Sequence, residues 1–335
     1  MLYIRTDMNQ TIATGHLMRC LAIADAARTL GEASTFLLAD KQAVSLLEEH
    51  GYPYIVLHTD WKDMESELSI LLPLIAEKKI EKLLIDSYQV TAAYLEALTK
   101  ATKTVYLDDL GEFPYPVDIV ICYANYWEKL GYAEKGDFRK GFFGPSYAPL
   151  RREFQDCQKK LIKPRVENLL LLSGGTDPYH ILADILEQID PELYLRIDII
   201  CGKYHTGYDS LCELYKSYNN IHIHKAVSHI ETLMEQADLA VAAGGTTLYE
   251  LCACGTPTIS YAMADNQLEN VRQFQEDGII DYAGDVRYEN AIEHIMAYVK
   301  QYHRDASLRR ERSERMQNIV DGRGAERSAR ALMDL

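Results

Sequence analysis

No apolar run in this 335-residue chain approaches the ~20 residues that cross a bilayer. The longest, such as Leu169 to Leu172 and Leu239 to Ala243, are of strand length. The start, Met1-Leu2-Tyr3-Ile4-Arg5-Thr6-Asp7, reads as a strand with early charges rather than a basic segment before an apolar run, so no secretory leader is expected. A cytoplasmic location without stable membrane association is the matching expectation. Positive charge is scarce: Lys and Arg total 35 against 50 Asp and Glu, a formal net charge of -15 at pH 7. That field repels nucleic acid and anionic lipid, so no nucleic-acid partner is expected. Any nucleotide must then be held by local backbone donors and helix N-termini. The seven cysteines (20, 122, 157, 201, 212, 252, 254) lie singly or as Cys252-Ala253-Cys254, without the Cys-x-x-Cys of zinc or redox sites. Free thiols in a reducing compartment are the plain reading. There is no G-x-G-x-x-G loop and no Walker A lysine, so neither a dinucleotide nor ATP is indicated. Without a G-x-S-x-G elbow or a separated acid pair, covalent serine chemistry and ordinary glycosidase chemistry are disfavoured as well.

What is present is ample core material, 47% hydrophobic residues with 25% charged, in a chain long enough for two domains. Short runs rich in β-branched residues alternate with amphipathic stretches of helical spacing, the pattern of parallel sheets with crossover helices. In the first half, strands are expected at Leu2 to Thr6, Ser34 to Ala39, Tyr54 to Leu57, Lys82 to Asp86, Thr104 to Asp108 and Asp118 to Cys122. The second half starts the pattern again. Strands are expected there at Asn168 to Leu172, Arg196 to Cys201, Ile221 to His224, Leu239 to Ala243 and Thr258 to Ala262, with helices such as Pro178 to Gln188 and Asn266 to Glu276. Between the halves, Gly141 to Glu167 lacks periodicity and holds Pro145, Pro149 and Pro164. The expected division is therefore a Rossmann-like domain over 1–160 and another over 161–335, with the last helix free to cross back to the first. The Arg-rich tail from Asp305 to Arg330 reads as a solvated helix laced with i,i+4 pairs.

Four strand-to-helix turns carry the chemical interest. After the first strand comes Asn9-Gln10-Thr11-Ile12-Ala13-Thr14-Gly15-His16, then Leu17, Ala22, Ile23, Ala26 and Leu30 at helical spacing. Ligands collect at the carboxyl edge of an open α/β sheet, and the positive helix end there favours a neutral imidazole. His16 is thus a general base or simply a helix-capping histidine. In Ser173-Gly174-Gly175-Thr176-Asp177-Pro178 the paired glycines let backbone approach a phosphate, or form an ordinary turn capped by Thr176 or Asp177. The most specific segment is Ala243-Gly244-Gly245-Thr246-Thr247-Leu248-Tyr249-Glu250: strand, glycine pair, and a helix expected to be capped by Thr246 or Thr247. Glu250, one turn in, can accept both hydroxyls of a ribose. Asp265-Asn266-Gln267 opens another helix with amides suited to sugar hydroxyls or phosphate. Together these turns point to a ligand site rather than to separate caps. His222-x-His224 has metal-ligand spacing, but alternates with Ile221 and Ile223 as the solvent side of a strand, and no metal is expected. Asp86-Ser87-Tyr88 and Asp108-Asp109 end strands, where Tyr88 can project a phenol and the acids can orient a base or cap a helix.

These residues resemble the UDP-sugar hydrolase of pseudaminic acid biosynthesis and its spore-coat polysaccharide relatives, themselves similar to GT-B glycosyltransferases. The resemblance runs through Arg5-Thr6-Asp7, Thr14-Gly15-His16-Leu17-Met18-Arg19-Cys20, Asp86-Ser87-Tyr88, Asp108-Asp109, Leu150-Arg151-Arg152-Glu153-Phe154, Ser173 to Asp177, Gly244 to Glu250 and Asp265-Asn266-Gln267. It implies a GT-B-like fold of two doubly wound α/β domains with a cleft between them. It also implies a metal-free, cofactor-free reaction in which His16 deprotonates a water that attacks the anomeric carbon and releases UDP. By the same resemblance Asp7, Thr14, Gly15, Tyr88, Asp109, Arg151, Asn266 and Gln267 lie around the sugar. Gly174, Gly175, Thr176, Gly245, Thr246 and Glu250 hold UDP. The chain departs from the family at Ala13, which stands for the first glycine of Gly-x-Gly-His, and Cys122 to Tyr126 fits its Asn-rich stretch only loosely. A GT-B transferase would share the nucleotide site and use an acceptor hydroxyl in place of water. A non-catalytic binding module would keep Gly174, Gly175 and Glu250 and have no need of His16. A monomer is expected.

Overall fold

Successive strand residues point to opposite faces of a sheet, and here both faces are apolar. Leu2, Ile4, Phe36, Leu38 and Leu84 enter one core, while Tyr3, Leu37, Leu83 and Ile85 enter another. Strands of that kind must be covered by helices on both sides. The computed structural model describes every residue except Gln10, Ala13, Lys203, Tyr204 and Ala226, so the departure at Ala13 lies outside the described residues.

Two compact units form, Met1–Arg152 with Gly322–Leu335, and Glu153–Asp321. The first unit runs β1 (Leu2–Thr6), α1 (Gly15–Thr29), β2 (Ser34–Leu38), α2 (Val44–Glu49), β3 (Tyr54–Val56), α3 (Met64–Lys78), β4 (Lys82–Asp86), α4 (Ala92–Thr99), β5 (Lys103–Leu107), β6 (Ile119–Cys122), α5 (Tyr132–Lys135) and β7 (Lys140–Phe143). Its parallel sheet has the order β3-β2-β1-β4-β5-β6-β7. The second unit runs β8 (Asn168–Leu172), α6 (Ile181–Gln188), β9 (Arg196–Cys201), α7 (Tyr208–Tyr215), β10 (Ile221–Lys225), α8 (Ile230–Gln236), β11 (Leu239–Ala243), α9 (Thr247–Cys254), β12 (Thr258–Ala262), α10 (Asp265–Glu276), β13 (Asp281–Asp285), α11 (Ala291–Arg304) and α12 (Ala306–Ile319). Its order is β10-β9-β8-β11-β12-β13. Each sheet reverses direction of growth beside its first strand, the doubly wound Rossmann pattern.

Three sequence expectations change. β7 and β13 were not expected, because Lys-Gly-Phe-Phe and Asp-Tyr-Ala-Gly-Asp lack an apolar run and join their sheets at the edge. The helix expected from Pro178 begins only at Ile181, since His180 takes a left-handed conformation (φ 57°) that a continuous helix forbids. The Arg-rich tail is two helices rather than one. α12 belongs to the second unit, and there Arg309 is fully buried, donating to the carbonyls of Tyr302 and Pro164 at 2.8 and 3.0 Å. After it, α13 (Gly324–Met333) returns to the first unit and packs on α1, with Ala325, Ala329 and Leu332 in the core. A Cβ at Gly324 would lie 2.1 Å from the Ala148 carbonyl oxygen, so this approach requires glycine.

Candidate functional site

β1 and β4 are adjacent in the first sheet, with Thr6 opposite Asp86. The sheet order reverses at that pair, which places the loop after β1 beside the loop after β4. From one side the first turns of α1 deliver His16 and, three residues on along the same face, Arg19. From the other side comes Asp86, the fully buried last residue of β4. Asp86 Oδ1 lies 2.6 Å from His16 Nδ1 and accepts from Arg19 Nη2 at 2.5 Å, while Oδ2 accepts from Arg19 Nε at 2.6 Å and from the Cys20 thiol at 3.4 Å.

Burial by itself would raise the Asp86 carboxyl, but Arg19 and His16 outweigh it and hold the group well below the usual carboxylate range. Burial likewise opposes the Arg19 charge, yet Asp86, Tyr123 and Asp109 keep the guanidinium more firmly protonated than usual. Since an ionised carboxylate only accepts, His16 Nδ1 is the donor in the 2.6 Å contact. In the neutral ring this puts the lone pair on Nε2, the nitrogen a general base would use.

Tyr88 packs edge-on against His16 with ring centroids 4.5 Å apart and donates its hydroxyl to Asp109 Oδ2 at 3.0 Å. Although the residue is 40% exposed, the buried end of the ring and the Asp109 charge push its phenol up, so it stays protonated. Arg19 Nη1 donates to the same Asp109 oxygen at 3.1 Å and to the Tyr123 hydroxyl at 2.7 Å. The other oxygen, Asp109 Oδ1, is buried and accepts no hydrogen bond among the described residues. Asp7, His16, Asp86, Ser87, Tyr88 and Gln89 line a small pocket at this edge with Ile12 and Trp61.

The remaining residues expected at the sugar are less uniform. Asp7 faces the pocket, but its carboxylate is already used, accepting from the Ala39 amide at 2.8 Å and from Arg5 at 2.5 Å. Thr14 stands at the N-cap of α1 without a side-chain capping bond, and Gly15 is exposed with nothing within 4 Å of where a Cβ would sit. Arg151 is half-buried just before a 3-10 helix over Arg152–Asp156. Asp108 is structural: it accepts from the amides of Leu110 and Gly111 at 3.1 and 3.0 Å. Sequence reasoning gave Arg19 and Tyr123 no role and did not single out Glu67, which binds the buried Arg5 through two hydrogen bonds of 2.9 and 2.7 Å. The i,i+3 spacing of His16 and Arg19 was the available signal for the first.

In the second unit the same topology pairs β8 with β11, Leu172 opposite Ala242, so the two glycine turns are neighbours. Gly174 needs its glycine for a φ of 81°, whereas Gly175 and Gly245 have ordinary φ and nothing within 4 Å of a built Cβ. Their backbone is open to close approach. Thr176 is exposed beside them. Asp177 turns inward and caps α6, accepting from the Ile181 and Leu182 amides at 3.0 Å each. Thr246 occupies the N-cap of α9 but makes no side-chain capping bond, contrary to expectation, which leaves its hydroxyl outside the helix hydrogen bonding. Glu250 sits in the first turn of α9, half-buried. Asn266 is exposed in the first turn of α10, and the Gln267 side-chain Oε1 accepts from the Met263 amide at 2.9 Å. His224, on the β10 edge, lies 2.6 Å from Asp198, and no group of three His, Cys, Asp or Glu able to hold a metal occurs among the described residues. None of the described helices is long and apolar enough to cross a membrane.

Residues 176–318, less than half of the chain, match the profile of the glycosyl transferases group 1 family. The spore coat polysaccharide biosynthesis protein SpsG of Bacillus subtilis is 23% identical over 79% of this chain and 78% of its own length. An uncharacterised protein of Methanocaldococcus jannaschii is also 23% identical over 79% of this chain, which spans only 56% of that relative. Among solved structures, MurG of Acinetobacter baumannii superposes with a TM-score of 0.72 at 12% identity, covering 100% of this chain and 99% of its own. The UDP-GlcNAc 2-epimerase of Neisseria meningitidis, bound to UDP-GlcNAc, gives 0.66 at 12% identity with 100% of both chains covered. The fold of this chain is GT-B, two parallel-sheet Rossmann-like domains.

Proposed function

We propose that this protein is a UDP-sugar hydrolase, releasing UDP and a free 2,4-diacetamido-2,4,6-trideoxyhexose for a surface polysaccharide or nonulosonic acid. The carrying observation is the hydrogen bond from His16 Nδ1 to Asp86, which leaves Nε2 as a base at the carboxyl edge of the first sheet. Nε2 takes a proton from water as the water oxygen bonds to the anomeric carbon. The bond from that carbon to the UDP oxygen breaks with inversion. The phosphates rest on the open amides at Gly174, Gly175 and Gly245 and on the start of α9, with Thr176 and Thr246 beside them and Glu250 accepting the ribose hydroxyls. Tyr88, Asp109, Arg151, Asn266 and Gln267 contact the sugar, with Asp7, Thr14 and Gly15 shaping the floor. The likeness to the spore-coat protein supports a role in polysaccharide synthesis.

A transferase is the second reading, favoured by the glycosyl transferase profile over 176–318. It uses the same base on an acceptor hydroxyl. The test is to incubate the protein with UDP-2,4-diacetamido-2,4,6-trideoxy-β-L-altrose, without acceptor, and follow UDP by chromatography. UDP with free sugar is expected, and His16→Ala should turn over ~10² to 10⁴ times more slowly with UDP affinity little changed. Binding without release would transfer the case to the transferase or to a binding module.

A further inference from the structure

Cys157 and Cys254 stand 97 positions apart in the chain, yet their sulfurs are 3.3 Å from each other. Cys157 follows the 3-10 helix Arg152–Asp156 and is partly exposed, whereas Cys254 is buried as the last residue of α9. Both belong to the second unit. A disulfide has its sulfurs at about 2.05 Å, so closing the bond needs an approach of roughly 1.3 Å from a loop residue. No further His, Cys, Asp or Glu joins them in a metal-binding group among the described residues, so the pair is a dithiol and not half of a metal site. The surroundings separate the roles of the two sulfurs. Its hydrogen bond to Cys157, and then burial, push the Cys254 thiol far up, while either sulfur can donate in the contact. Lys160 lies close enough for its charge to act on Cys254. Its ammonium donates to the carbonyls of Met234 and Glu235 at 2.9 and 2.6 Å and to the Thr256 hydroxyl at 3.1 Å. Cys157, the partly exposed residue of the pair, is the one that an oxidant arriving from solvent meets first.

We propose that Cys157 and Cys254 form a reversible redox site, closed by a hydroperoxide and reopened by a dithiol reductant. The Cys157 thiolate attacks the peroxide oxygen, breaking the O–O bond; with one proton this gives a sulfenic acid and an alcohol, or water when the oxidant is hydrogen peroxide. The Cys254 thiol then attacks the Cys157 sulfur, the S–O bond breaks and water leaves with the Cys254 proton. Each sulfur gives up one electron and the peroxide takes two. The bond ties the C-terminal end of α9, whose first turn carries Glu250, to the segment after Asp156.

The full chain, reduced and desalted, is treated with hydrogen peroxide, its remaining thiols are alkylated, and intact mass and peptide maps are recorded. A mass about 2 Da lower before alkylation, two fewer alkylated thiols after it and one crosslinked peptide joining 157 and 254, all reversed by dithiothreitol, are expected. Cys157→Ser and Cys254→Ser should each abolish the crosslink while far-UV circular dichroism stays native. The oxidised chain should also unfold at a higher temperature, because a long loop is closed, and Cys157→Ser should show no such shift. Cys201, whose thiol is pushed up to about 11 by burial and then by the nearby Cys212, serves with Cys212 as the internal comparison. A crosslink between those two, no change in mass, or a gain of about 32 Da at Cys157 with Cys254 still alkylatable would overturn the proposal.

Discussion

Asp86 accepts from His16, Arg19 and Cys20 while fully buried, so one buried charge holds three donors of α1. Asp86→Asn keeps the shape and removes the charge. Breaking a buried pair costs about 3 to 5 kcal/mol where the remaining ion stays uncompensated, and the Asp109 carboxylate that Arg19 keeps here puts the cost at the low end, about 3 kcal/mol. The expected outcome in urea is a fall of that order for the first unit, with turnover down about 10² to 10⁴-fold because an amide no longer dictates which nitrogen of His16 is protonated. An unchanged midpoint would remove the pair from the stability of this unit. The depressed Asp86 carboxyl also sets a pH dependence. Its contribution is present above the unfolded value of ~3.9 and is lost as pH falls below that toward the lower folded value. Acid titration of the Asp86→Asn variant should lack that component. At this scale the sequence displayed His16, Asp86, Tyr88 and Asp109 as strand-end and helix-start residues, but nothing local joined them. Their distances depend on β1 lying beside β4.

The glycine turns separate two reasons for having glycine. At Gly174 the φ of 81° demands it, so alanine there strains the fold. At Gly245 the backbone is ordinary and a Cβ meets nothing within 4 Å. Gly245→Ala should therefore leave the second unit as stable or about 0.4 to 1 kcal/mol more stable, since alanine narrows the unfolded ensemble. If UDP phosphate rests on this turn, the same variant should lose UDP affinity by an order of magnitude or more in calorimetry. Glu250→Ala should weaken UDP by about 1.5 to 3 kcal/mol, the worth of hydrogen bonds to a charged group, and leave Gly245 contacts intact. UDP affinity unchanged from the unmutated chain in both variants would move the nucleotide elsewhere. The helix starts show how far turn chemistry reads from sequence. Asp265-Asn266-Gln267 opens α10 in line with the expectation, while His180 delays α6 by three residues through a left-handed backbone that composition does not announce.

The whole chain folds as two units whose sheets share the order 3-2-1-4-5-6, the first with a seventh strand at its edge, and its last helix belongs to the first unit. α13 buries Ala325, Ala329 and Leu332 against the core that holds α1. Lys82 Nζ donates to the Met333 carbonyl at 2.8 Å and Arg327 to that of Ser146 at 2.8 Å. Leu332→Ala removes a side chain that is 2% exposed, and should destabilise the first unit by about 2 to 5 kcal/mol. Calorimetry should show one transition moving and the other staying. A shift of both together would mean that the units unfold cooperatively.

Alternating apolar runs, amphipathic spacing and glycine turns are local properties, and they determined the doubly wound α/β class, most strand positions and the places where chain passes from strand to helix. Those choices depend on residues within a few positions of one another. The pairing of His16 with Asp86 and Arg19, the Tyr123 and Asp109 contacts, the meeting of Cys157 with Cys254 and the return of α13 were decided only in the tertiary structure. The edge strands β7 and β13 belong there too, because a short polar segment becomes a strand only when a neighbouring edge offers it hydrogen bonds. Each joins residues tens to hundreds of positions apart, and that proximity follows from strand order, which no local periodicity encodes.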